Sequence, residues 1–475
     1  MNRSRDCFLL SLAFLSLPVL AQDTVKEPPS ITAVRKRVPK IKAELEKLRG
    51  LKFKAEVGIS YQTAEDFKAY VETQLDTEIP QRRVPAIGRL YHRLGLVPEG
   101  FDMRRAFTEL LASQALAYYA PEKDRFFILN ANQPEMMLDP TVLHEFHHAL
   151  QDQYFDLAAM TKKLLARGDD DPATAFKFLI EGEATYLTIA YSGVLAGIDP
   201  QAALGQIGMI AGLSREELSR LERQQLGMMD KGGKELEESL KKRDATPYYL
   251  YRMLVDPYYK GAAMVKAVHD HGGWDAVTRL YEKPPSSTEQ VLHPEKLYGE
   301  RDDPVIVTLP DLSASFGDGY VREEKNCIGE IGLQTIFHDQ TGSHAEQACA
   351  GWDGDRVATY ARREPVSGEV PSEAKAAMVW LLEWDSEDDA RQFAVAYKKL
   401  MFKKYDVPAV KSVDRVIRFD KGGEEHLITL RGLKVLIIEG APIGRSAAVM
   451  EAAFEGARSR LEGAEERPGR SKQPL

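Results

Sequence analysis

Apolar positions change spacing several times along the chain, and each change predicts an element. Within residues 33–48, Val38, Ile41, Leu45 and Leu48 recur at helical intervals among charged residues. Residues 57–61 read as a strand, and Thr63 with Asp66 three later has the spacing that caps a helix running to Leu75. Further helices are predicted over 84–94 and 103–118, the second ended by Pro121. Residues 125–129, rich in aromatic and β-branched side chains, then read as a strand. The next helix is predicted over 139–153, with Asp139 at its cap and Pro140 at its first position. Leu138, Val142, Leu143, Phe146, Ala149 and Leu150 leave it almost no polar face, so it is buried. Long helical patterns follow over 172–194, 200–210, 214–226 and 247–269. Ser214 and Glu217 form a capping box in the third, and the last is interrupted near Pro257.

The pattern changes again near 301–310. Beyond it, strands are predicted over 357–360, 377–384, 416–419, 425–429 and 433–438, with helices over 385–400 and 446–461. The 475 residues, 44% hydrophobic, suffice for more than one core. The expected fold class is α+β: a small mixed sheet with a mostly helical half over 34–300, then a smaller α+β domain over 301–462. A lead-in over 22–33 and a disordered, polar tail over 463–475 flank them.

The first residues have the plan of a secretory signal peptide: Arg3 and Arg5, an apolar run from Cys7 to Leu20, and Val19 and Ala21 before a cut after residue 21. That run is too short to span a membrane, and no later stretch is long enough, so the expected product is exported, periplasmic or secreted. Its removal leaves the mature chain one unit more negative than the −9 of the full sequence, a balance that argues against nucleic acid as a partner. It also leaves two cysteines, Cys327 and Cys349. In an exported chain such a pair suggests a disulfide, closing a loop worth about 3 kcal/mol.

The chemistry concentrates at residues 144–148, His-Glu-Phe-His-His. On a helix His144 and His148 stand one turn apart on one face and can reach the same ion, while Glu145 points beside it toward the water that the ion would activate. A glutamate has little reason to sit on a buried helix unless something cationic compensates it. Zinc at a hydrolytic site takes three protein ligands and keeps one position open. A third histidine at 154, with glycine at 151, is excluded because those positions are Tyr154 and Gln151. The remaining solution is a carboxylate from a later helix, and Glu181 and Glu183 lie thirty-three and thirty-five residues after His148. They are about 200° apart around a helix, so only one can face the ion. His147, about 100° from its neighbour, is expected to pack or hydrogen-bond behind the ligands; a His144/His147 pair at three-residue spacing is the alternative, in which Glu145 would lose its usual geometry.

Glu-Gly-x-Ala after such a helix resembles the third-ligand motif of gluzincin metallopeptidases, and here the motif is Glu181-Gly182-Glu183-Ala184. The resemblance implies zinc held by His144, His148 and Glu181, with Glu183 behind them or facing substrate and the Thr185 hydroxyl steadying a ligand. Tyr258-Tyr259-Lys260-Gly261 resembles the segment in which gluzincin aminopeptidases carry a tyrosine that stabilises the oxyanion, which implies that role for Tyr258. The Gly-x-Met-Glu-Asn string that grips a free amino terminus is missing from the sequence, so internal cleavage is expected. Residues 111–156, with Glu181–Ala184 and the Pro284–Pro294 stretch, also resemble a family of exported bacterial proteins of this zinc-peptidase type. That likeness extends more weakly to Gly351–Arg356 and Trp384–Ser386.

The expected activity is therefore zinc-dependent peptide-bond hydrolysis, with Glu145 as general acid–base and a peptide or protein as partner. The strand at 125–129 would offer its edge to an extended substrate. Two other readings stand beside it: a non-catalytic exported binding protein with a structural metal, and a zinc hydrolase of non-peptide amides.

Overall fold

The computed structural model describes residues 29–78, 83–129, 135–167, 169–226, 233–341, 345–362, 376–408 and 416–461. The expected signal peptide and tail lie outside them. The first helix, α1 (Pro29–Arg49), starts inside the expected lead-in, because Ile31 and Val34 extend the buried stripe of Val38, Ile41 and Leu45 by one turn. The chain is α+β throughout, and it divides into two compact units.

The first unit holds a three-stranded sheet made of β1 (Gly58–Tyr61), β2 (Ala117–Ala120) and β3 (Arg125–Ile128), in the order β1-β3-β2. Strand β3 is central, parallel to β1 and antiparallel to β2. This corrects two expectations. Strand 125–129 has no open edge, and the helix predicted over 103–118 ends at Gln114, after which Ala117–Ala120 turn extended to pair with β3. Tertiary pairing overrides the local helical pattern there.

Among the other helices of this unit, three carry the residues of interest: α2 (Glu135–Phe155), α3 (Asp170–Leu195) and α4 (Tyr248–Glu282). Helix α2 begins a turn before the expected cap, and Asp139 is engaged by Arg37 at 3.0 Å instead of capping the helix. Helix α4 runs through Pro257 without the interruption predicted there. Proline leaves the carbonyl four residues back without its N–H partner, and that carbonyl, on Met253, accepts from Lys177 Nζ at 3.3 Å. The break comes at Gly272–Gly273, where Gly273 takes a φ of 62° that L side chains avoid.

Helices α3 and α4 cross backbone to backbone. A Cβ on Gly182 would stand 2.2 Å from the carbonyl carbon of Gly261, and a Cβ on Gly261 would stand 2.2 Å from the Phe178 oxygen. No side chain fits between them. Around this crossing α3 is buried on nearly every side, from Phe176, Phe178 and Leu179 to Tyr186, Leu187 and Tyr191.

The second unit is a six-stranded antiparallel sheet. Its strands are β4 (Tyr320–Asn326), β5 (Trp352–Arg362), β6 (Ala377–Trp384), β7 (Val416–Lys421), β8 (Glu424–Arg431) and β9 (Lys434–Pro442), in the order β4-β5-β6-β9-β8-β7. Both faces of β6 are buried, which explains its unbroken apolar run. Trp380 packs with Phe393 and Tyr397 on one face, while Val379 and Leu381 join Leu436, Val449 and Ala453 on the other. The Gly351–Arg356 segment is structural here. Asp355 is buried and accepts from Ile328 N, Gly329 N and the indoles of Trp352 and Trp380, and a Cβ on Gly354 would meet the Val305 oxygen at 2.3 Å.

Residues 82–101 and 286–289 group with this unit, not with the domain expected over 34–300. The helix Val84–Leu94 explains it: Arg83, Arg89 and Arg93 pair with Glu324, Glu323 and Glu424. No disulfide joins Cys327 to Cys349, contrary to expectation. The Cys327 thiol lies 3.4 Å from Asp355 Oδ2, and Cys349 is buried at the end of the helix Ala345–Cys349.

If the helix crossing is set by backbone contact, Gly261→Ala should cost about 2 kcal/mol or more in urea unfolding. Gly88→Ala, whose Cβ would find its nearest neighbour at 3.6 Å, should be neutral or stabilising by about 0.5–1 kcal/mol. Equal midpoints for Gly261→Ala and the wild type would contradict the crossing.

Candidate metal centre

Helix α2 anchors itself through Leu143, Phe146, Ala149 and Leu150, which turns His144 and His148 toward α3. Their rings stand nearly perpendicular, at 86°, with centroids 4.8 Å apart. Glu181 reaches between them: its Oε2 lies 3.2 Å from His144 Nε2 and 3.4 Å from His148 Nε2. One ligating atom from each of the three lies within 4.8 Å of the others, a set able to hold a metal ion.

Glu183 is turned away from this group, as the angle between alternate helical positions requires. It is fully buried and paired with Arg49 and the Tyr281 hydroxyl. His147 is also buried, with Nε2 3.5 Å from Glu183 Oε2, and burial, partly offset by Glu183, lowers its pKa to about 4.

The other nitrogens of the two outward histidines face fixed acceptors. His148 Nδ1 lies 2.9 Å from Gln151 Oε1. His144 Nδ1 lies a long 3.5 Å from Thr188 Oγ1, whose own hydrogen goes to the Ala184 carbonyl at 2.7 Å. The steadying hydroxyl is therefore Thr188. The Thr185 hydroxyl is buried and makes no hydrogen bond among the described residues.

Glu145 is placed by the sheet. Strand β2 is an edge strand, and the outward N–H of Tyr119 donates to Glu145 Oε2 at 2.9 Å. Burial raises the Glu145 pKa and Glu181 adds to it, while the imidazoles of His148 and His144 oppose it. Burial would raise Glu181 as well, but there the imidazoles prevail and hold its carboxyl well below the usual range. Burial works against charge on His148, yet Glu181 and Glu145 lift it to about 9. Two carboxylates thus draw positive charge into this pocket. Tyr258 stacks on His144 with ring centroids 5.8 Å apart and stays 37% exposed. The charge of Glu181, then burial, then Glu145 push its phenol well above its ordinary pKa, so it remains a hydrogen-bond donor.

Asp152 and Asp156 serve the end of α2: Asp152 accepts from Leu157 N and Tyr119 Oη, and Asp156 caps the next helix at Ala159 N. His293 is part-exposed, 3.8 Å from Glu295. Sequence reasoning found the convergent residues and missed Tyr119, Gln151 and Thr188. The spacing of the last two was available, since Gln151 follows His148 by one turn and Thr188 follows Glu181 by two.

The donor set fits zinc: two imidazole nitrogens and one carboxylate oxygen converge, and each imidazole is oriented from behind.

Among known proteins, a family described as "Domain of unknown function (DUF8575)" matches residues 318–450. A comparison with curated proteins finds no match. The crystal structure of a candidate hydrolase with a novel fold from Chloroflexus aurantiacus is 14% identical, with 58% of this chain and 91% of that chain covered, at a TM-score of 0.32. A likeness of that size carries no inference to this chain.

Replacing Thr188 by Val should weaken zinc binding roughly tenfold by removing the acceptor behind His144. Thr185→Val should leave it unchanged. Competition with a chromophoric chelator measures both, and equal effects would sink the assignment of Thr188.

Proposed function

We propose that this chain is an exported zinc-dependent metallopeptidase that cleaves peptide bonds internally. The observation that carries the reading is the convergence of His144, His148 and Glu181, with Glu145 held beside them by the Tyr119 N–H. A structural zinc site is closed by four protein ligands, whereas three converge among the described residues, the number that leaves a position for chemistry.

Zinc, when bound, supplies Lewis-acid activation of water and of the scissile carbonyl. Glu145 accepts a proton as water attacks and returns it to the leaving amine. The Tyr119 N–H keeps one of the Glu145 carboxylate oxygens oriented for that exchange. The Tyr258 phenol, protonated and part-exposed beside His144, donates to the developing oxyanion without adding a full charge. An extended peptide runs alongside β2, a terminal strand of its sheet and the one that orients Glu145. Among the described residues no helix is long and apolar enough to cross a membrane.

The test combines metal analysis with a broad peptide library. The wild type should bind one zinc ion and cleave within peptides, and chelation should abolish cleavage reversibly. Glu145→Gln should keep its zinc and lose activity. Tyr258→Phe should lower kcat by roughly 10- to 1000-fold with KM little changed. Zinc binding with no cleavage of any library member would overturn the peptidase reading, and cleavage of amides outside peptides would redirect it.

A further inference from the structure

Behind the ligands lies a buried polar chain that the proposed chemistry does not use. It begins at His148 Nδ1, 2.9 Å from Gln151 Oε1. Gln151 Nε2 then lies 3.1 Å from the Ile180 carbonyl, 3.1 Å from Glu183 Oε2 and 2.7 Å from the Tyr281 hydroxyl. Glu183 continues to Arg49, the last residue of α1. The Arg49 guanidinium lies 4.5 Å from the centre of the Trp274 ring and donates to Thr278 Oγ1 at 3.1 Å. Arg49, Gln151 and Glu183 are each exposed by 2% or less.

The chemistry of the acceptors orients the whole chain. A carbonyl and a carboxylate only accept, so the amide nitrogen of Gln151 must face Ile180 and Glu183, and its oxygen must face His148. An amide oxygen also only accepts, so the hydrogen of a neutral His148 resides on Nδ1 and its lone pair is on Nε2, the atom that faces Glu181. Reversing the tautomer would require Gln151 to flip, which would turn its oxygen onto the Glu183 carboxylate. That carboxylate cannot yield, because Arg49 and Tyr281 hold it. A well-packed apolar cluster would occupy this space at less cost in desolvation than a buried ion pair with an amide.

We infer that Gln151, Glu183 and Arg49 form a positioning relay that sets the tautomer and orientation of His148, so that α1 contributes to the metal site without touching it. The three are positioning residues; none contacts the proposed ion. The inference concerns metal affinity and ligand orientation first, and it rests on the zinc-peptidase reading only for its effect on turnover.

The full chain is loaded with Zn²⁺, and separately with Co²⁺ as a spectroscopic probe. Gln151→Leu should raise the zinc dissociation constant about 10- to 100-fold and shift the visible Co²⁺ bands; at saturating zinc kcat should fall with KM unchanged. Arg49→Met should move the same readouts in the same direction, and Arg49→Lys should restore them in part. A measurement on the zinc-loaded wild type does not depend on any variant folding: ¹H–¹⁵N correlation of the histidine rings should show His148 protonated at Nδ1 alone and slow to exchange. His148 protonated at Nε2, or Gln151→Leu with unchanged affinity and Co²⁺ spectrum, overturns the relay while leaving the zinc reading intact. A wild-type chain that binds neither Zn²⁺ nor Co²⁺ overturns both.

Discussion

Gly182 and Gly261 meet where two helices pass with only backbone between them, and the placement of the candidate site follows from that contact. Glu181 precedes one glycine directly, and Tyr258 lies three residues before the other. Bringing α3 and α4 this close places Tyr258 beside Glu181 and lays its ring against His144, while Glu181 reaches the two histidines from α3. A larger residue at either position would separate the helices by the thickness of a side chain. The Tyr258 ring would then be carried away from His144, on which it now stacks with centroids 5.8 Å apart. The small residue in each motif is thus a distance constraint, and the chemistry-bearing residue is placed relative to it.

The same closeness concentrates charge. Glu145 and Glu181 lie in one pocket with two imidazoles, and Glu183 lies behind it with Arg49 and His147. Two carboxylates two residues apart on one helix therefore have opposite fates. Glu183 is neutralised by a side chain from α1 and becomes part of the core, while among the described residues Glu181 is opposed by histidines, whose own charge is conditional. The proposed zinc ion supplies the positive charge that this half of the pocket draws in.

How much of this was legible depends on whether the determining contact is local. His144, Glu145 and His148 could be read together because a helix of period 3.6 brings them to one side whatever surrounds it. The choice of Glu181 over Glu183 was narrowed by the same period and by a motif, although the residue that claims Glu183 lies 134 positions earlier. Most long helices and five of the six strands of the second unit's large sheet were legible from apolar spacing, but not Tyr320–Asn326, with charged residues at four of seven positions. Strand β2 was not: Ala117–Ala120 continue a helical pattern, and their extended form depends on a register with β3. Pro257 misled in the opposite sense, because the Lys177 ammonium that relieves its helix comes from α3. The disulfide inferred from cysteine count failed for a similar reason, since the Cys327 thiol is turned to an aspartate on β5.

These misses share a geometry that bears on the site. The convergent residues are specified by spacing within helices, and the parts that hold them come from other elements: the Tyr119 N–H from the sheet, Arg49 from α1, and Lys177 to keep α4 continuous where Tyr258 stands. A chain could therefore carry the His-Glu-x-x-His and Glu-Gly-x-Ala strings and still lack a usable site if any of these supports were absent. Here the motif supplies the donor atoms, and the fold supplies their direction. The second contribution separates a recognisable string from a pocket in which Glu145, Glu181 and Tyr258 face the same space.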